Sequence, residues 1–194
     1  LAAGYAPQFA ERALGDAAMT PVREAMERVL VAHEPAPALA IDRHWNLVAA
    51  NRMIKPLLAY AAPRLLQAPI NVLRLSLDPD GVSARIVNFG EWRAHLMHRL
   101  RRQRAREDDP TLKALHEELT AMPGPEMAEP TPDAVIVPLK LRAGERLLSF
   151  LSMTMVFGGP LDVTVADLAI EMFLPEDAAT AAALAQIAAS WPAD

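Results

Sequence analysis

The sequence predicts an α+β domain in which a short strand pair is separated by helices from a later meander of three strands. Its composition, 52% hydrophobic and 22% charged residues, supports a sizeable core. Apolar residues recur at helical spacing in segments 20–33 and 88–106. In the last third, Val135–Leu141, Arg146–Phe157 and Asp162–Phe173 are apolar and partly alternating, and glycine-containing turns separate them. Together these observations indicate an antiparallel sheet packed against helices.

The N-terminal segment divides into a linker and a helix. Residues 1–19 contain helix breakers, which predict the end of one element followed by a linker. Thr20 and Pro21 have the residue types of an N-cap and a first helical position, so a helix is expected to begin there. Pro35 ends it.

A hairpin follows this helix. Ala38–Ile41 and Leu47–Ala50 are predicted strands, and the polar corner Asp42–Asn46 connects them. Asn51 has the residue type of an N-cap for the next helix. Trp45 lies at the corner, where it either covers the core or is exposed for pairing with another subunit.

The middle of the chain is predicted to be helical, with proline-rich connections. Further elements are a short helix or turn over Asn71–Leu77, a turn at Asp78–Gly81, a long helix from Asn88 to about Arg106, a helix capped by Asp109 and running through Leu119, a loop over Pro123–Pro132, and a C-terminal helix after Pro175.

Charge and residue content exclude several functional classes. The net charge of −5 argues against nucleic-acid binding by this chain itself, because phosphate contacts require a basic surface. The absence of cysteine excludes disulfides and thiolate chemistry and suits a reducing compartment, so we expect a cytoplasmic protein. No apolar run reaches transmembrane length, so no membrane partner is expected. No GxSxG motif or phosphate-binding glycine loop is present, so we expect neither an enzyme nor a cofactor.

Two features of the long helix have alternative interpretations. Glu91, His95 and His98 have a spacing that could form a helical metal site, but the arginines around them disfavour a dication, so no metal is expected. Segment 93–106 contains six arginines. A DNA-contacting patch is one interpretation, and a solvated face neutralised by the acidic run 107–109 is the favoured one. In a third interpretation, some of these arginines bind the carboxylate of a ligand or of a partner subunit.

Three stretches carry a family resemblance: PALAIDRHWNLVAANRM, NVLRLSLDPDG and IVNFGEWRAHLMHRLRRQ. They resemble the ligand-binding domain of MmyB-like bacterial transcription regulators. The resemblance implies a PAS-like five-stranded antiparallel sheet covered by helices, with flanking N- and C-terminal helices, over residues 20–194. The opening LAAGYAP resembles the last turn of a Cro/repressor-type helix-turn-helix, so residues 1–19 are expected to be its remnant plus the linker. The implied function is a sensor domain that controls DNA binding through a helix-turn-helix absent from this chain.

A Met-rich apolar group is the candidate ligand site. Where the long helix lies on the sheet, side chains of this kind form flexible pockets for a small apolar or fatty-acyl-like ligand, although each also fits ordinary core packing. Candidate polar contacts at the edge are Asn51, Asn71 and Arg74. The apolar candidates are Trp92, Leu96, Phe150, Met153, Met155, Phe157, Met172 and the neighbouring Phe173. The alternative is a ligand-free dimerisation module, and a homodimer is expected in either case. A hydrolase or transferase has no motif support.

Overall fold

Five antiparallel strands form one curved sheet in the computed structural model, which describes residues 19–125, 137–156 and 168–190. The strands are β1 (Ala38–Ile41), β2 (Leu47–Ala50), β3 (Leu139–Ala143), β4 (Arg146–Val156) and β5 (Ala169–Pro175). Their order across the sheet is β2-β1-β5-β4-β3. The early hairpin joins the later strands through β1 and β5, where Ala38 is paired with Met172 and Ile41 with Ala169. This arrangement confirms the predicted PAS-like α+β fold.

Helices surround the sheet. Those described are α1 (Thr20–Ala32), α2 (Lys55–Leu58), α3 (Val72–Leu77), α4 (Phe89–Arg104), α5 (Pro110–Ala121) and α6 (Ala178–Ser190), with 3₁₀ turns at Arg52–Ile54, Pro63–Leu66 and Ser83–Arg85.

Strand alternation divides the apolar residues between two faces of the sheet. On β1, Leu39 and Ile41 belong to the main core with α3, α4 and α5, on the inner face. Ala38 and Ala40 belong to a smaller cluster with α1 on the outer face. This division follows from the period of two along a strand, and it decides which side chains can contact a ligand beneath α4.

The hairpin corner is formed as the sequence predicts. Asp42 Oδ1 accepts hydrogen bonds from the backbone N–H groups of His44 at 2.8 Å and Asn46 at 2.9 Å. Trp45 has φ 67°, a conformation that is rare for a bulky residue, yet it is only 6% exposed. Its Nε1 donates to Gln103 Oε1 at 2.9 Å. Trp45 therefore covers the core, the first of the two roles considered for it.

One predicted cap is right in position only, and another is wrong. Asn51 occupies the N-cap position of the 3₁₀ turn Arg52–Ile54, but its side chain makes no cap hydrogen bond there. Instead it is buried, and its Nδ2 donates to the carbonyl oxygens of Leu30 at 3.1 Å and Ala36 at 2.8 Å. Thr20 is the first helical residue of α1, and Met19 is its N-cap. The Asn51 side chain is therefore used to bond the backbone of α1 and of the segment before β1.

Several predicted segments lie wholly or partly outside the described residues. They are the helix-turn-helix remnant and linker apart from Met19, most of the loop at 123–132, the first two residues of the strand predicted from 135, and residues 162–167 of the last predicted strand.

Candidate functional site

A small apolar cavity lies between the helices and the inner face of the sheet. Its volume is about 90 Å³. Trp92 and Leu96 of α4 form one wall, and Leu73 of α3, Leu141 of β3 and Phe173 of β5 contribute others. An engineered apolar cavity of about 150 Å³ binds benzene, so a longer ligand here requires wall side chains to move.

An ion pair lies at one side of this cavity. Arg99 Nη2 donates to Glu171 Oε1 at 2.5 Å, and Arg99 Nη1 donates to Glu171 Oε2 at 3.1 Å. Thr154 Oγ1 donates to Glu171 Oε1 at 2.9 Å. The Arg99 guanidinium also lies 4.8 Å from the ring centroid of Trp45. These contacts satisfy a carboxylate that is only 4% exposed, which would otherwise be costly to bury.

An open groove of about 600 Å³ lies beyond the ion pair. Trp45, Arg99 and Glu171 line both the groove and the cavity, so they form the partition between them. Arg102 and Arg106 of the arginine-rich segment line only the groove. The predicted basic run thus borders the cavity at Arg99.

A second groove, of about 370 Å³, lies at another side of the cavity. Leu57, Val82 and Leu141 line both spaces. Arg85 and the exposed Tyr60 form part of its surface, and the Arg85 guanidinium lies 3.1 Å from the centroid of the Tyr60 ring.

Two ring nitrogens near the cavity are buried and have no hydrogen-bond partner among the described residues. Trp92 is 3% exposed, and none of those residues provides an acceptor for its Nε1. Its ring stacks on His95 at a centroid distance of 5.3 Å, and His95 Nε2 also lacks a partner. Burial lowers the pKa of His95, and the nearby charge of Arg99 lowers it further. Unpaired buried polar atoms are uncommon in native proteins.

The structure places three of the predicted aromatic and leucine candidates together. Trp92 and Leu96 line the cavity directly. Phe150 is buried in the same core and packs edge to face against Phe173, at a centroid distance of 6.3 Å. Phe150 therefore supports the cavity wall without lining it.

The methionines lie elsewhere. Met155 and Met172 pack with α1 on the outer face of the sheet, and Met153 is paired with Met172 there and is 51% exposed. Their parity along β4 and β5 puts them on the face opposite the cavity. Phe157 lies outside the described residues.

The polar candidates have local partners. Asn51 bonds to the backbone of Leu30 and Ala36 and does not line the cavity. Asn71 is the N-cap of α3, where its Oδ1 accepts from the backbone N–H of Arg74 at 3.2 Å. Its Nδ2 donates to the carbonyl oxygen of His44 at 2.8 Å. Arg74 makes two hydrogen bonds of 2.7 Å to Glu118 of α5. Neither Asn71 nor Arg74 lines the cavity as it stands.

The described residues contain no group of three or more His, Asp or Glu side chains that could hold a metal ion. The six arginines of segment 93–106 have different environments. Arg93 is buried and donates to the carbonyl oxygen of Met122 at 2.7 Å, close to the end of α5. Arg102 and Arg106 are exposed.

Sequence reasoning missed Glu171 and most of the aliphatic wall. An acidic residue within the apolar run AIEMFLP was the available signal, because a charge inside a buried strand requires a partner. None of the described helices is both long and apolar enough to cross a membrane.

Comparison with known proteins identifies the family. The model of the MmyB-like transcription regulator ligand binding domain matches residues 22–187. No curated protein matches the chain. The matched segment spans the hairpin, the long helix, the three later strands and most of α6. The chain therefore belongs to the family of MmyB-like transcription regulator ligand binding domains.

Proposed function

We propose that this domain binds a small apolar or fatty-acyl-like molecule in the cavity between α4 and the sheet, and that binding modulates the attachment of a helix-turn-helix to DNA. The family supports a sensor role. Because the domain is acidic, DNA contact is assigned to the helix-turn-helix, outside this chain. Such a regulator acts in the bacterial cytoplasm, by binding and without catalytic turnover.

The observation that carries this proposal is the apolar cavity itself. Trp92, Leu96 and Phe173 have large side chains that pack in or against the main core, yet they line an unfilled space. Ligand pockets are mostly apolar with a few polar groups, which matches aliphatic walls bordered by Arg99 and Glu171. The unpaired Nε1 of Trp92 adds a donor that a ligand oxygen would satisfy.

A ligand can switch the regulator only if it favours one of two states. The cavity is smaller than an acyl chain, so the bound state differs from this one in the side chains around it. Leu57 and Leu58 of the four-residue helix α2 line the cavity, so α2 forms a short cover over this site. We expect ligand binding to reposition this cover and thereby to alter the arrangement of DNA-binding domains in a homodimer.

The direct test is thermal unfolding with and without decanoic acid, together with native mass spectrometry of the purified protein. A ligand at 100 times its Kd stabilises the folded state by about 2.7 kcal/mol, so the midpoint rises by several degrees. Bound mass of lipid size in the purified protein is a second expected result. An unchanged midpoint across acids, alcohols and aromatics, with no bound mass, would contradict the proposal.

A ligand-free dimerisation module is the second candidate. The observation in its favour is apolar surface on the outer side, where Val31 of α1 is 64% exposed and Met153 of β4 is 51% exposed. Sedimentation velocity with and without decanoic acid separates the two functions. A dimer that is indifferent to every ligand favours the module, whereas a monomer at high micromolar concentration excludes it.

A further inference from the structure

The groove beside Tyr60 has an unusual charge balance. Arg85, Arg142 and Arg146 line it, and none of the residues lining it is acidic. Within the described part of the chain, no carboxylate forms an ion pair with any of these three arginines. The protein as a whole carries a net charge of −5, so this cluster is a local exception.

The groove also shares an apolar wall with the interior. Leu57, Val82 and Leu141 are common to the groove and to the cavity beneath α4. A chain-like ligand lying across these three side chains would have one end in the cavity and the other among the arginines. The surface thus combines a cationic rim with an apolar wall, and a chain-like ligand reaches the buried space behind it when these three side chains move apart.

The side of the cavity next to Arg99 is different. There Arg99 is already paired with Glu171, which is 4% exposed and depends on that pair. An incoming anion would have to displace a carboxylate that has no other cationic partner in the described structure, and this is costly. An anion that binds at the Tyr60 side displaces no carboxylate of the described residues from Arg142 or Arg146.

From these observations we propose that the ligand is an amphipathic anion whose headgroup binds among Arg85, Arg142 and Arg146, while its apolar body passes between Leu57, Val82 and Leu141 into the cavity. This inference rests on the proposed function and adds the headgroup chemistry and the entrance. The shared chemistry is a carboxylate or phosphate on an alkyl chain. Arg85, held over Tyr60 and donating to the carbonyl oxygen of Arg142 at 3.1 Å, fixes one side of the headgroup site.

The experiment compares decanoic acid, decyl phosphate and 1-decanol, with affinities measured by isothermal titration calorimetry. The site variant is Arg142→Gln/Arg146→Gln, and the matched control is Arg102→Gln/Arg106→Gln in the open groove beside Arg99. All four positions are exposed, so both variants should fold with unchanged thermal midpoints. The two anionic probes distinguish a carboxylate from a phosphate headgroup.

We expect the acid or the phosphate to bind wild type about 10-fold more tightly than the alcohol, because each charge-assisted hydrogen bond contributes more than a neutral one. The site variant should lose this preference, with the alcohol unaffected, and the control should keep it. If only the control variant loses the preference for the anions, the proposal is overturned. It is also overturned if the affinities of all three probes fall by the same factor in the site variant. If 1-decanol binds but neither anion is preferred, the entrance proposal fails and the proposed function stands. If no probe binds, the proposed function itself fails.

Discussion

Arg99 of α4 and Glu171 of β5 form an ion pair that joins the long helix to the centre of the sheet, with two hydrogen bonds of 2.5 and 3.1 Å. The two partners differ in exposure, since the side chain of Glu171 is 6% exposed and that of Arg99 is 25% exposed. Removing Arg99 and removing Glu171 should therefore lower the unfolding free energy by different amounts. The pair also lies at the boundary between the apolar cavity and the open groove. A substitution in the pair therefore affects both the stability of the fold and the candidate site.

The Arg99→Met variant should lose about 3 kcal/mol of unfolding free energy, because it leaves Glu171 buried without a cationic partner. Glu171→Gln should lose only about 1 to 2 kcal/mol, since Arg99 still reaches water and Thr154. Urea denaturation measures both. Equal losses in the two variants would contradict the asymmetry in burial.

Asn51 should behave as a buried connector between α1 and the hairpin. Asn51→Ala removes donors to two backbone carbonyls and an acceptor for the N–H of Ala38, so the expected loss is about 2 to 3 kcal/mol. The control is Asp177→Ala, which removes an N-terminal hydrogen bond of α6 and should cost about 1 kcal/mol. A loss for Asn51→Ala no greater than for this control would contradict the connector role.

Acidification should destabilise the domain through His95. Its pKa is lowered by burial and by Arg99, with Glu171 opposing and His98 adding to the effect. Below the unfolded-state pKa of about 6.5 the unfolded chain takes up a proton that the native state resists. The unfolding free energy therefore falls as the pH drops below about 6.5.

His95→Gln should make this fall shallower between about pH 6.5 and pH 5, because Gln does not titrate. Some pH dependence should remain, since the pKa values of His33 and His116 are also lowered by burial. Urea denaturation of both proteins at several pH values gives the comparison. Identical pH profiles for variant and wild type would show that His95 is protonated as readily in the native state as in the unfolded one.

Filling the cavity should block the ligand. Leu96→Phe adds volume to the wall beneath α4 and is expected to weaken decanoic acid binding about 10-fold or more, with a loss of about 1 to 3 kcal/mol in stability from overpacking. Met153→Phe makes a comparable change on the exposed outer face and should leave binding unchanged. A calorimetric titration that shows weaker binding for Met153→Phe than for Leu96→Phe would place the ligand on the outer face.

The fold could be predicted largely from local signals. Turn residues at the corner of the hairpin and the helical spacing of Trp92, Leu96 and Leu100 point to elements that the structure contains. The pairing of β1 with β5 joins residues about 130 positions apart, and only the family resemblance indicated it.

The candidate site was harder to predict because strand parity depends on register. Met153, Met155 and Met172 are as hydrophobic as their neighbours, and sequence alone does not say which face of the sheet α4 covers. Arg99 and Glu171 are 72 residues apart, so neither reveals the other in the sequence. Their partnership follows only from the placement of α4 across β5.

The central claim is that an apolar ligand lies between α4 and the inner face of the sheet, and intermolecular NOEs with ¹³C-labelled decanoic acid test it most directly. We expect NOEs from ligand methylene protons to the side chains of Trp92, Leu96 and Phe173, and none to Met153. NOEs confined to Met153, Met155 and Met172, or their absence with a saturating ligand, would contradict it.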